Sequence, residues 1–340
     1  MSHLAKWWRS ERESWIVCGL CPQQCSMQDR VSGRCGARYA KDGRLWTKAW
    51  GVGTYPVADP VEKKPLYHFL PGSKVLSFGL LGCNLNCAFC QNWSLSTSHD
   101  YGTLQSLTPE NCIQIALAQG CSAIAFTYNE PVISSEFCIE VSENAHRFGI
   151  KTIAVSNGYI RADAGNDLFD VIDAANIDLK SIDPDFYTKY CEGRLAPVLE
   201  TLACLAQSER TWVELTNLLI PGLNDSESDI DRLLDWVLTN LGPDVPIHFS
   251  AFRPSHHMRT FPITPYDTLR RAKDRALACG AHYVYLGNVP QAQDTTCPNC
   301  QNEVIRRLNY TVAKYELLNG KCPECGTLIP GVYSGSTFLS

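Results

Sequence analysis

"LLGCNLNCAFCQNW", residues 80–93, places Cys83, Cys87 and Cys90 within eight residues. A structural zinc site closes with four ligands, so three thiols in one short run point to a metal centre with a position left open. Directly upstream, "KVLSFGLL" is a short apolar run with strand character, which puts the cysteines on the loop leaving a strand. Downstream the text alternates between apolar runs and amphipathic stretches. "SAIAFTY", "KTIAVS", "AANIDLK", "WVELTNLLI", "PIHFSAF" and "HYVYLGNV" read as further strands. "TPEN", with Thr108 as N-cap and Pro109 at the first helical position, opens a helix. "ISSEFCIEVSENAHRFG", "SESDIDRLLDWVLTNLG" and "TPYDTLRRAKDRALACG" are others, and helical text also runs from Pro184 to Gln207.

Strands rich in apolar and β-branched residues, separated by helices, predict a parallel sheet covered on its faces. Six such units and a terminal strand fit an α/β fold of the partial (β/α)6-type TIM barrel; an open doubly wound sheet is the alternative. In such folds chemistry collects at the carboxyl ends of the strands. The residues there are polar all the way round: Tyr128, Asn129 and Glu130; Ser156 and Asn157; Asp178 and Lys180; Thr216 and Asn217; His248, Ser250 and Arg253; and Asn288.

The chain has 340 residues and a formal net charge of −5, against a broadly basic nucleic-acid footprint. It shows no apolar run of membrane-spanning length and no secretory leader, so the expectation is a cytoplasmic protein without a membrane partner. Seventeen cysteines in such a chain read as metal ligands before disulfides. Three regions follow: a Cys-rich N-terminal β extension at 1–72, the sheet region at 73–290, and a C-terminal zinc-ribbon-like module with a tail at 291–340. In the last, Cys297, Cys300, Cys322 and Cys325 form two C-x2-C knuckles, a zinc pattern. Cys18, Cys21, Cys25 and Cys35 fit zinc or an auxiliary iron–sulfur cluster; the paired tight turns of "CPQQC" and "GRCG" lean towards zinc.

The C-x3-C-x2-C loop after the first strand resembles the cluster motif of the radical S-adenosylmethionine (radical SAM) enzymes. The resemblance implies a [4Fe–4S] cluster held by Cys83, Cys87 and Cys90, whose open iron binds S-adenosylmethionine (SAM). It implies that Glu130, with Tyr128 and Asn129 before it, accepts the SAM amino group, and that Lys180, beside Asp178, meets the carboxylate. It places Ser156, Asn157, Asn217 and Asn288 at the cofactor, and Phe89, Ile220 and Gly222 along the adenine. The bland alternatives are a rim salt bridge for Asp178 and Lys180, a turn at Ser156–Gly158, and a helix cap for Glu130.

A closer resemblance spans nearly the whole chain. "CGLCPQQC", "DPVEKKPLYHFLPGS", "TYNEP", "LIPGLND" and "CPECGTLIPGVY" are similar to the radical SAM member of the AmmeMemoRadiSam system, a relative of pyruvate formate-lyase activating enzymes. That implies AMMECR-like and Memo-like partners and a flavodoxin or ferredoxin reductant. Tyr128-Asn129-Glu130 stands where glycyl-radical activators carry Gly-Gly-Glu, and no ferredoxin-like insertion follows the cysteine loop. Both departures weigh against the activase role. For the substrate step the candidates are Cys191, at a helix break, and His248 and Arg253. The substrate expected is macromolecular, protein or RNA. Competing readings are a non-catalytic metal scaffold and a nucleic-acid adaptor.

Overall fold

The apolar runs become strands in a computed structural model that describes residues 2–12, 15–97 and 104–333. Part of the expected tail, residues 334–340, lies outside the described residues. The main sheet contains β1 (Val57–Pro60), β2 (Lys74–Phe78), β3 (Ala123–Phe126), β4 (Lys151–Ser156), β5 (Ala174–Asp178), β6 (Trp212–Leu219), β7 (Ile247–Ala251) and β8 (Val284–Gly287), in sequential order. Strands β2 to β8 are parallel, and β1 pairs antiparallel with β2. The expected boundary after residue 72 therefore falls between two paired strands.

Helices α1 (Pro109–Ala118), α2 (Ser135–Arg147), α3 (Ala162–Phe169), α4 (Ala196–Ala206), α5 (Glu227–Asn240) and α6 (Tyr266–Ala278) fill the crossovers. Their ends follow local chemistry. The Thr108 and Ser226 side chains accept hydrogen bonds from Asn111 N and Asp229 N as N-caps. Gly149 and Gly242, just past α2 and α5, take the left-handed backbone that ends a helix.

Alternation along the strands separates two cores. Leu76, Phe78, Ile124 and Phe126 pack outward beneath the helices. Val75, Ala123, Ala125 and Trp212 point the other way, onto Val61, Leu66 and Phe69 from the segment joining β1 to β2. The edge strands β1 and β8 are not paired with each other among the described residues. Yet one cleft borders the carboxyl ends of all seven parallel strands. Laid flat, seven strands would span about 29 Å at the usual ~4.8 Å spacing. The sheet is curled and open.

The amino end of the curl is plugged. Glu214 accepts hydrogen bonds from Tyr67 N (3.0 Å), His68 N (2.7 Å) and Trp212 Nε1 (3.0 Å), and lies 2.7 Å from His248 Nε2. His68 also contacts Tyr285 Oη and Pro330 O. The C-terminal three-stranded sheet (Thr295–Thr296, Glu303–Leu308, Thr311–Tyr315) docks here. Its Arg307, fully buried, donates to Tyr67 O at 2.7 Å and faces Glu62. Tyr67, Tyr283 and Tyr285 share one core with Cys297, Val304 and Ile305, so this module and the sheet are continuous. The N-terminal segment packs at the opposite end: Gln23 Nε2 donates to Asn84 O, and Arg161 N to Leu20 O.

Candidate active site

The cleft at the carboxyl ends measures about 1270 Å³, counting its open mouth. One wall is the cysteine loop, from which Cys83, Cys87, Phe89 and Cys90 reach it. The loop begins with close approaches: a Cβ on Gly79 would lie 2.7 Å from Leu95 Cδ2, and one on Gly82 2.7 Å from Cys35 O. Gly82 also has φ +89°, a backbone that only glycine adopts freely.

The loop is held from four strand ends. After β3, Asn129 accepts from Leu80 N (2.8 Å) and donates to Gly82 O (2.9 Å). After β4, Asn157 Nδ2 reaches Asn84 Oδ1 (2.9 Å) and Cys83 Sγ (3.6 Å). Beyond β5, Tyr190 O and Cys191 O accept from Ala88 N and Asn86 N. Beyond β7, Ser255 Oγ donates to Cys90 O.

Glu130 lines the cleft, 2% exposed, and its carboxylate is well occupied. Oε1 accepts from Val132 N and Ser156 Oγ, and Oε2 from Asn157 N. Burial raises its pKa to about 7 against the pull of these hydrogen bonds and of Lys180. A carboxylate offers about four acceptor sites, so one remains for a ligand cation. Lys180 Nζ pairs with Asp178 Oδ2 at 2.9 Å and stands 5.9 Å from the Phe89 ring. The rim salt bridge is thus formed, and two of the three ammonium protons remain for an anionic ligand. Cys87 is drawn below the usual thiol range by a hydrogen bond from Cys191, while burial pushes Cys83 up.

Tyr128 (φ +70°) and Asn288 (φ +59°) also border the cleft. Tyr128 Oη donates to Asp59 Oδ2 at 2.8 Å. Asp59 in turn holds Lys63 and Lys64; burial raises its pKa, but the hydrogen bonds from Lys64, Tyr128 and Lys63 outweigh this and bring it to about 2. Lys63 and Lys64 line the cleft, which sequence reasoning missed although "VEKKPLYHF" carries two adjacent cations ahead of β2.

Other expected residues lie off the cleft. Asn217 points away from its neighbour Thr216 and donates to Leu179 O. Ile220 is buried, and Gly222 caps the following turn through Asp225 Oδ1. His248 belongs to the Glu214 plug, one inward position below Ser250. Arg253 lies outside, with Nη2 3.4 Å from Asn288 O. Cys191 is fully buried behind the cysteine loop, against Cys87.

Cys297, Cys300, Cys322 and Cys325 bring their sulfurs within 4.8 Å of one another, a set able to hold one metal ion. Cys325 is drawn down to about 6 by the Thr327 hydroxyl and backbone.

A model of the radical SAM superfamily matches residues 80–237, from the cysteine loop to α5. An uncharacterised protein of Methanocaldococcus jannaschii is 37% identical over 319 residues, 92% of this chain and 95% of its own. The chain belongs to the radical SAM superfamily. It is an enzyme of the radical SAM class, a family whose members use a [4Fe–4S] cluster and SAM. The pyruvate formate-lyase-activating enzyme of Listeria monocytogenes is 24% identical over 179 residues, half of this chain and 71% of that enzyme. A radical SAM methyltransferase from Sphaerobacter thermophilus superposes with a TM-score of 0.50 at 15% identity, covering 64% of this chain and 67% of the other; that likeness is one of fold. Among the described residues no helix is long and apolar enough to cross a membrane.

Proposed function

We propose that Cys83, Cys87 and Cys90 hold the [4Fe–4S] cluster of this radical SAM enzyme, and that SAM lies across the cleft between them and the β3–β5 strand ends. One observation carries the reading: three thiols with no fourth cysteine facing the cleft stand opposite a carboxylate and an ammonium. When bound, the cluster supplies the electron that splits SAM to methionine and a 5′-deoxyadenosyl radical, which takes a hydrogen atom from the substrate. The chain's own residues position and shield. Glu130 offers its remaining acceptor site to the methionine ammonium and Lys180 its free protons to the carboxylate. Phe89 covers one face of the cofactor. Asn129 and Asn157 fix the cysteine loop, which limits how far its thiols move to receive the metal.

The whole-length resemblance supports a place in the AmmeMemoRadiSam system, with AMMECR-like and Memo-like partners and a flavodoxin or ferredoxin as reductant. The C-terminal quartet we assign to zinc, whose tetrahedral thiolate sites have this compactness. Lys63 and Lys64 at the cleft favour a substrate with anionic groups, within a macromolecule. A second reading, activation of a glycyl-radical enzyme, draws support from the likeness to the Listeria activating enzyme.

The test is anaerobic. Protein reconstituted with iron and sulfide, given dithionite and SAM, is expected to release 5′-deoxyadenosine, and a Cys83→Ala/Cys87→Ala/Cys90→Ala variant none. Equal product from both would overturn the assignment.

A further inference from the structure

The N-terminal quartet differs from the C-terminal one in a way that bears on its metal. Cys18, Cys21, Cys25 and Cys35 all line one small, partly open cavity, with Leu20, Met27 and Ile133 among its apolar walls. They come from separate pieces of backbone. Cys18 ends the strand Trp15–Cys18, Cys21 and Cys25 sit on the turn that follows, and Cys35 lies beyond the Ser26–Met27 strand. Converging four thiols from such separate pieces on one apolar cavity has no structural use unless something is held between them.

Zinc bonds thiolates at about 2.3 Å in a tetrahedron, which places the sulfurs less than ~4 Å apart. The C-terminal quartet already has that spacing, with Cys297 to Cys325 at 3.5 Å and Cys300 to Cys322 at 3.6 Å. Among the described residues it is the one group of metal-ligating side chains whose ligand atoms all fall within 4.8 Å. The N-terminal sulfurs share a cavity without meeting that limit. An iron–sulfur cluster spreads its thiolates over two or more iron atoms and takes ligands farther apart than one ion can.

A second observation comes from Arg38. Its side chain is 1% exposed, borders the same cavity, pairs with both Glu136 carboxylate oxygens through Nη2, and donates from Nη1 to Lys6 O. Its Nε–H is buried with no partner. A donor left unpaired at a cavity wall costs about 1–3 kcal/mol, and a sulfide or cluster-bound thiolate is the acceptor that cavity would bring.

We propose that Cys18, Cys21, Cys25 and Cys35 hold a second iron–sulfur cluster, not zinc, backed directly onto the loop that carries Cys83. Cys35 O and Gly82 are in the close contact described above, and Asn84 borders both the cavity and the Cys83 sulfur. The two metal centres share a wall one residue thick.

The measurement is metal content and Mössbauer spectroscopy on full-length protein, purified anaerobically and reconstituted with iron and sulfide in the presence of zinc. In the Cys83→Ala/Cys87→Ala/Cys90→Ala variant, iron with matching sulfide is expected to persist, with about one zinc per chain at the C-terminal knuckles. Adding Cys21→Ala and Cys35→Ala is expected to remove that iron and leave the zinc. The wild-type chain, which needs no variant to fold, is expected to carry more iron than one cluster accounts for. About two zincs per chain, with iron equal to a single cluster in the wild type and none in the triple variant, would overturn the proposal. Wild-type iron equal to two clusters, falling to one cluster's worth in the triple variant, supports it. Equal 5′-deoxyadenosine from the wild type and the triple variant, with the N-terminal iron intact, would instead count against the active-site assignment alone.

Discussion

Replacing Glu214 is expected to unfold the molecule from the end opposite its chemistry. The Glu214 side chain is fully buried and receives two backbone N–H groups, the Trp212 indole N–H and the His248 ring. Glu214→Ala strands at least the first three donors. A buried donor without a partner costs ~1–3 kcal/mol, so three of them lose about 3–9 kcal/mol before the cavity is counted. Glu214→Gln keeps one oxygen able to accept two of these bonds but turns an amide NH2 towards the others, and is expected to cost about half as much. Calorimetry reads both: at roughly 2 °C per kcal/mol for a large chain, melting falls by about 6–18 °C for Ala and about 3–9 °C for Gln. The pH adds a second reading. Burial would raise the Glu214 pKa, but His248, His68 and the Tyr67 N–H bring it below the ordinary value of 4.5. Its stabilisation is therefore present above about pH 4.5 and fades as the pH falls through the lowered value. A Glu214→Ala protein melting within 2 °C of the wild type would refute the account of the plug.

Two further outcomes are expected. Glu130, raised to about 7 by burial, is mostly protonated at pH 6 and mostly ionised at pH 8; if the ionised form binds the ammonium, SAM affinity is about tenfold weaker at pH 6, and Glu130→Gln flattens that dependence in calorimetric titration. Cys322→Ser is expected to lower zinc by about one per chain and to cost several degrees of melting temperature, because its knuckle shares a core with Tyr67 and Tyr285; unchanged zinc with unchanged melting would count against that assignment.

Strand succession, the Thr108 cap and the placing of the cysteine loop were legible because each rests on local chemistry: apolar runs, an N-cap ahead of Pro109, glycines past the helix ends. Helix α3 was not. Its "ADAGNDLF" mixes Gly165, Asn166 and two aspartates, weak helix formers, and it is a helix because Ala164, Leu168 and Phe169 pack on the sheet. Strand β1 was missed because "VADP" ends in proline, tolerable only on the edge it occupies. At the site, period-two alternation would have separated Thr216 from Asn217, which face opposite ways. It could not separate His248 from Ser250. Both point inward, and only the Tyr67–His68 segment, brought in from far along the chain, shows that the plug ends between them. Lys63 and Lys64 were hidden for the same reason: they lie before the first parallel strand and enter the cleft through their pairing with Asp59.

Arg307 sets a limit on how this chain can be shortened. A truncation after residue 290 looks harmless on the sequence, because it keeps every parallel strand. It would also remove the guanidinium that donates to Tyr67 O, lies over the Tyr67 ring and faces the buried Glu62. Tyr67 and its neighbour His68 are the residues whose backbone N–H groups hold Glu214 in place. A minimal catalytic core cut from this protein would expose the floor beneath its own cofactor cleft, so engineering must carry the metal-binding end along or rebuild that floor with apolar side chains.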